Sequence, residues 1–171
     1  MADAMSMTQS AVRELGDLEE DDLYRLLGMR LKAIERDPAK AGQFAPDVGS
    51  AQELGITAAD LRDFGRRAFV HVARVGHMAI CGQNAEGFHL ERILSALNTD
   101  AATATAVVAT VLVAQLAIAP AIAGIVATIV IGRVAPSSLE ALCQVWSRKL
   151  EPAAVEQPEI APPPAQAAAS G

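Results

Sequence analysis

The sequence predicts an all-α protein, a small helical bundle of five to six helices around a central hydrophobic helical hairpin, with a disordered C-terminal tail. Three observations carry that expectation. From Ala101 to Gly132 the chain has no charged side chain and is built almost wholly from Ala, Val, Ile, Leu, Thr and Gly, the pattern of helices that are buried on every side or that face lipid. On either side of this run, apolar residues recur at three- and four-residue spacing among charged ones, as in amphipathic helices. No stretch alternates apolar and polar residues as a half-buried strand does, and no segment repeats. With 171 residues, 51% of them hydrophobic, the chain is expected to fold as one domain with a real core.

Residues 1–16 are expected to form a flexible N-terminus ahead of a single helical domain over 17–150. Asp17-Leu18-Glu19-Glu20 reads as an N-cap with an acid three residues later, and Glu19 to Asp22 load the first turn with charge that complements the helix dipole. Leu23, Leu26, Leu27, Leu31 and Ile34 then share one face, with Arg25, Arg30, Lys32 and Glu35 elsewhere, and Asp37-Pro38 closes the element. A connector with Gly42, Pro46 and Gly49 follows. Thr57 caps a long helix to about Ile80, with Leu61, Phe64, Ala68, Val72, Val75 and Ala79 directed inward and Gly82-Gln83-Asn84 ending it. A shorter helix spans about 86–97, and Asp100 caps the uncharged run.

Pro120 divides that run. It has no N–H to give Leu116 and disrupts a continuing helix, yet costs nothing at the first position of a new one. The run of 32 uncharged residues is therefore expected to fold as a hairpin over 101–134, with arms of about 101–119 and 121–134. At about 0.3–0.6 kcal/mol per strongly apolar residue, either arm gains only about 2–4 kcal/mol on entering a bilayer. Small residues recur every fourth position, Ala106, Thr110 and Ala114 in one arm and Gly124, Thr128 and Gly132 in the other, a spacing that lets helices approach closely in lipid. Gln115 is the polar exception. No Tyr or Trp flanks the run closely, so the interfacial aromatic belt of a resident membrane protein is missing. After the hairpin, Ser137-Ser138-Leu139-Glu140 reads as a capping box for a helix carrying Leu139, Leu142, Val145, Trp146 and Leu150. From Glu151 to Gly171 the chain is mostly Pro, Ala, Glu and Gln, the expected disordered tail.

Charge and chemistry narrow the function classes. Residues 1–63 hold 7 basic and 13 acidic side chains and 64–171 hold 7 of each, so the net charge of −6 lies wholly in residues 1–63. That argues against nucleic acid as a partner. The basic run Arg62, Arg66, Arg67 and Arg74 is expected to meet anionic headgroups or the acidic start of the first predicted helix, with Trp146 a further candidate for lipid or partner contact. Cys81 and Cys143 are read as reduced, small core residues. His77 and Cys81 share a helix face, and Cys143 could complete a metal site with them, but two histidine and cysteine residues on one face more often pack, and no metal is expected. No nucleophile elbow, phosphate loop or dinucleotide fingerprint occurs. Neither an enzyme nor a cofactor is expected. The first residues lack a basic region followed by an apolar stretch, so residence in the cytoplasm is expected, with conditional association with the inner membrane.

In pattern, an Ala/Val/Ile/Leu/Gly-rich hairpin inside a helical shell resembles the pore-forming domains of colicins. The resemblance covers the hairpin alone and supplies no residue correspondences. It implies a membrane-active effector that hides its hairpin until a protein regulator or activator, proteolysis or homo-oligomerisation releases it, then inserts and permeabilises a lipid membrane, a behaviour suited to bacterial defence. The alternative expectation is a soluble interaction or adaptor module whose hairpin is simply the bundle core.

Overall fold

The computed structural model describes residues 2–82, 87–132 and 135–151. Among them are eight α-helices and no strand: α1 (Ala2–Gly16), α2 (Glu20–Arg36), α3 (Ala51–Leu54), α4 (Ala58–Cys81), α5 (Gly87–Leu97), α6 (Ala101–Leu116), α7 (Pro120–Ile131) and α8 (Leu139–Leu150), with a 3-10 turn at Pro38–Gly42. The all-α class stands. The expected five to six helices become eight, for two local reasons. Residues 1–16, expected to be flexible, contain α1, which buries Thr8, Val12 and Leu15. The connector after Arg36 folds into the 3-10 turn and the short α3, whose capping box pairs the Ser50 hydroxyl with the Glu53 N–H and the Glu53 carboxylate with the Ser50 N–H. Of the expected disordered tail, only Glu151 lies within the described residues.

Caps set most boundaries. The hydroxyls of Thr57 and Ser138 and the Asp100 carboxylate each accept an N–H three residues on, opening α4, α8 and α6. The Thr103 N–H and hydroxyl both donate to Asp100, which holds its carboxyl below the usual range. Two expected boundaries shift. Asp17 caps nothing, and α2 begins at Glu20 behind Glu19, which makes no side-chain capping bond; Ser138 rather than Ser137 caps α8.

The longest pair, α2 against α4, meets backbone to backbone. A Cβ on Gly65 would overlap the Tyr24 carbonyl oxygen, and one on Gly28 would overlap the Leu61 carbonyl. This close crossing turns α4 so that Leu61, Gly65, Phe69, Ala73, Gly76 and Ile80 are buried and Val75, expected inward, is exposed. The Tyr24 ring stands edge-on to Phe69 with centroids 5.5 Å apart. Burial and then the neighbouring Glu20 carboxylate, which accepts the phenol proton at 3.0 Å, push the Tyr24 phenol up.

The longest buried stretches belong to α6 and α7. Residues 121–131 are all buried, as are 104–109, Val111 and Leu112. The two helices pack against each other; α1 covers both, α2 and α8 cover α7, and α5 covers α6.

Candidate functional site

Polar groups inside the α6/α7 pair are satisfied within the pair's own helices. The hydroxyls of Thr105, Thr110 and Thr128 donate to the carbonyls of Ala101, Ala106 and Gly124 at 2.7, 2.8 and 2.8 Å. Pro120 is the first residue of α7. Between the helices, the chain turns through Ala117 in the left-handed region (φ 51°), where the N–H groups of Ala117 and Ile118 both reach back to the Leu112 carbonyl. Val113, Leu116, Ile118 and Ala119 around this turn are half-buried, while Ala114, Gln115 and Ala117 are exposed. The turn therefore reaches the surface without a charged residue.

The small-residue positions are not brought together as one seam. Ala106 is buried, Thr110 half-buried and Ala114 exposed. Gly124 and Thr128 are buried, but a Cβ on Gly124 would meet Leu15 of α1 at 3.7 Å and Phe44 at 3.9 Å, so this glycine faces the cover rather than α6. Gly132 is exposed just past α7 with φ 71°. A cleft of about 380 Å³ lined by Ala101, Ala102, Thr105, Thr128 and Gly132 places the start of α6 beside the end of α7.

Sequence reasoning missed Arg30, which was assigned to the polar side of its helix and is buried. Its guanidinium donates from one terminal nitrogen to the carbonyls of Phe44 (2.9 Å) and Ala121 (2.8 Å), tying α2 to the connector and to the first turn of α7. Among the described residues no carboxylate pairs with it and its Nε lacks a partner, and burial pushes its pKa down to about 10. It remains charged at neutral pH, and a shift of that size opposes folding by roughly 3 kcal/mol.

The cysteine expectation is overturned. Cys81, the last residue of α4, and Cys143 in α8 are half-buried and joined in a disulfide with Cα atoms 5.8 Å apart. Their separation of 62 residues hid a juxtaposition that only the α4/α8 packing creates. A disulfide also removes both thiolates from any metal site, and no cluster of three or more ligand-type side chains occurs among the described residues. Trp146, expected as a candidate lipid or partner contact, is fully buried in this fold, its indole N–H donating to the Ala73 carbonyl at 3.0 Å and His77 standing edge-on to it.

The four arginines separate. Arg62 is half-exposed and pairs with Asp21 of α2 (3.8 Å) and with Asp63 (3.3 Å), so it meets the acidic start of α2. Arg66, Arg67 and Arg74 are exposed. Gln115 is exposed in the last turn of α6. No family model matches the chain, and no curated protein or solved structure does either. Any function therefore rests on the chain's own residues.

Proposed function

We infer that the chain is a conditionally membrane-active helical protein, an effector that keeps the α6/α7 hairpin enclosed until it is released to permeabilise a membrane. One observation supports this reading above the others. Every threonine hydroxyl within α6 and α7 that lies in their buried stretches bonds a carbonyl of its own helix, and hydrocarbon demands such internal satisfaction. The hairpin could leave its shell without carrying a charge or an unpaired hydroxyl from its buried stretches, Gln115 near the turn being its one exposed amide. Its uncharged turn already reaches the surface, so entry would be turn first. The partners that go with this reading are a lipid membrane on activation, further copies of the chain, and a protein regulator; association with the inner membrane is conditional, and the Cys81–Cys143 disulfide favours its oxidising side over the cytoplasm.

A second reading, the soluble interaction or adaptor module, is favoured by length. At ~1.5 Å per residue α6 and α7 are about 24 and 18 Å long, short of a hydrocarbon core of ~30 Å, and among the described residues no helix is long and apolar enough to cross a membrane.

The position of Ala114 allows a clean test. It is exposed beside the turn, so Ala114→Arg should leave the folded protein intact, whereas it would place a charge at the deepest part of an inserted hairpin, at a cost of about 2.5–3.5 kcal/mol. That is about what one arm gains. Protein activated by removing residues 1–16, which form α1 of the cover, should release dye from liposomes; the Ala114→Arg form should not, with an unchanged helical circular-dichroism spectrum. Intact vesicles with the activated wild-type chain would transfer the case to the interaction module.

A further inference from the structure

We propose that the outward face of α4 docks the folded protein on an anionic bilayer surface. Arg67, His71, Arg74 and Met78 follow one another at four-, three- and four-residue intervals, so they form one line along the helix. All four are exposed, and the line from Arg67 to Met78 runs about 16 Å. Among the described residues, Arg67, His71 and Arg74 lie in no ion pair. Beside them Val75 is 38% and Met78 61% exposed, two of the few large apolar side chains left open to solvent. Cations backed by an apolar thioether and a valine match an interface where lipid phosphates lie above shallow acyl chains.

The same face is poorly suited to a polyanion such as nucleic acid. Val75 and Met78 would meet nothing apolar there, whereas a bilayer offers them acyl chains; Asp60, Asp63 and the acidic start of α2 beside the N-terminal end of the line confine its anion-facing stretch to residues 67–74 for either partner. The face is also rigid. Its reverse side is core, where a Cβ on Gly76 would stand 2.8 Å from Leu112 of α6 and 2.8 Å from the Trp146 ring. Docking thus brings a bilayer to within one helix diameter, about 10 Å, of the hairpin. This deepens the membrane reading by naming the lipid class, and it depends on that reading for its consequence only.

Flotation of the full chain with vesicles of phosphatidylcholine alone and of phosphatidylcholine with 30% phosphatidylglycerol, paired with dye release from the same vesicles by the chain activated through removal of residues 1–16, tests both separately. Each arginine near an anionic surface contributes about fivefold to partition, so Arg67→Gln/Arg74→Gln should bind anionic vesicles about 25-fold more weakly. Wild-type binding should fall in high salt, and Met78→Ser should weaken it further without altering its dependence on anionic lipid. An Arg13→Gln variant on α1 should bind as wild type. Equal flotation with neutral vesicles, wild-type binding by the double variant, or tighter binding to a single-stranded oligonucleotide than to anionic vesicles overturns the docking face. Charge-dependent flotation without dye release upholds the face and counts against permeabilisation; release without charge-dependent flotation does the reverse.

Discussion

The pairs α2/α4 and α6/α7 are both helices packed side by side, and they achieve contact by opposite means. Both helices of the first pair are amphipathic, with charged outer faces, yet their backbones touch through Gly28 and Gly65. The helices of the second are apolar on all sides and carry small residues at regular spacing, yet their interior glycine, Gly124, faces α1 and Phe44. Regular spacing of small residues therefore does not by itself locate a close helix crossing. What locates it here is a pair of glycines, Gly28 and Gly65, each set against the partner helix's backbone; Gly76, on the same buried face of α4, is met instead by the side chains of Leu112 and Trp146.

The largest effect expected from breaking this arrangement is covalent. α4 is held to α2 by glycine contact and to α8 by the Cys81–Cys143 disulfide, whereas α6 and α7 are held by enclosure. Cross-linking across 62 residues constrains the unfolded chain by about 4 kcal/mol on the loop-entropy account. Adding a dithiol reductant should lower the denaturant-derived stability by about that amount, and a Cys81→Ser/Cys143→Ser variant should show the lowered value without responding to reductant. A reductant effect that persists in the double variant would show that the disulfide is not its source.

Next in size is the crossing itself. Gly65→Ala puts a methyl group into the Tyr24 carbonyl, with the Gly28 backbone nitrogen 2.9 Å away, so neither neighbour can move like a side chain. Helix propensity favours alanine by about 1 kcal/mol, and the clash must outweigh it. A net destabilisation of about 3 kcal/mol is expected in urea unfolding, and a neutral or stabilising result would remove the backbone contact as the basis of the pair.

Much of this fold is legible in the sequence because helix starts carry side-chain caps and because a 32-residue uncharged stretch admits few fates. Thr57, Asp100 and Pro120 open helices where their chemistry says they should. Less legible are features that depend on which faces meet. Apolar periodicity placed Val75 inward and Arg30 outward, because it weighs side-chain hydropathy and is blind to a helix rotated by glycine contact. Arg30 has its long apolar stem in the core and its guanidinium on two carbonyls from distant segments, and neither carbonyl is marked in the sequence. The candidate surfaces sort in the same way: the presence of a basic run on α4 was readable, but its division into a paired Arg62 and an outward Arg67 and Arg74 required the position of Asp21.

The smallest expected effects contrast two positions of the central pair with the α2/α4 crossing, and they run in opposite chemical directions. At Gly124 the space beside the backbone is ordinary van der Waals distance from Leu15 and Phe44, and the position lies inside α7 with helical geometry. Gly124→Ala should therefore fill that space, reduce the freedom of the unfolded chain and stabilise the protein by about 0.5–1 kcal/mol. Seven residues earlier, Ala117 adopts the left-handed conformation at φ 51° that only glycine enters freely. Ala117→Gly relieves that strain of roughly 1 kcal/mol but gives back part of it as unfolded-state entropy, leaving a gain of about 0.5 kcal/mol. Gly124 meets Leu15 and Phe44, whereas Ala117 acts through its own backbone conformation, so the double variant should gain about the sum in urea midpoint. Loss of stability in Gly124→Ala would mean that the central pair, like α2 and α4, meets its neighbours through backbone, and the distinction between the two pairs would fail.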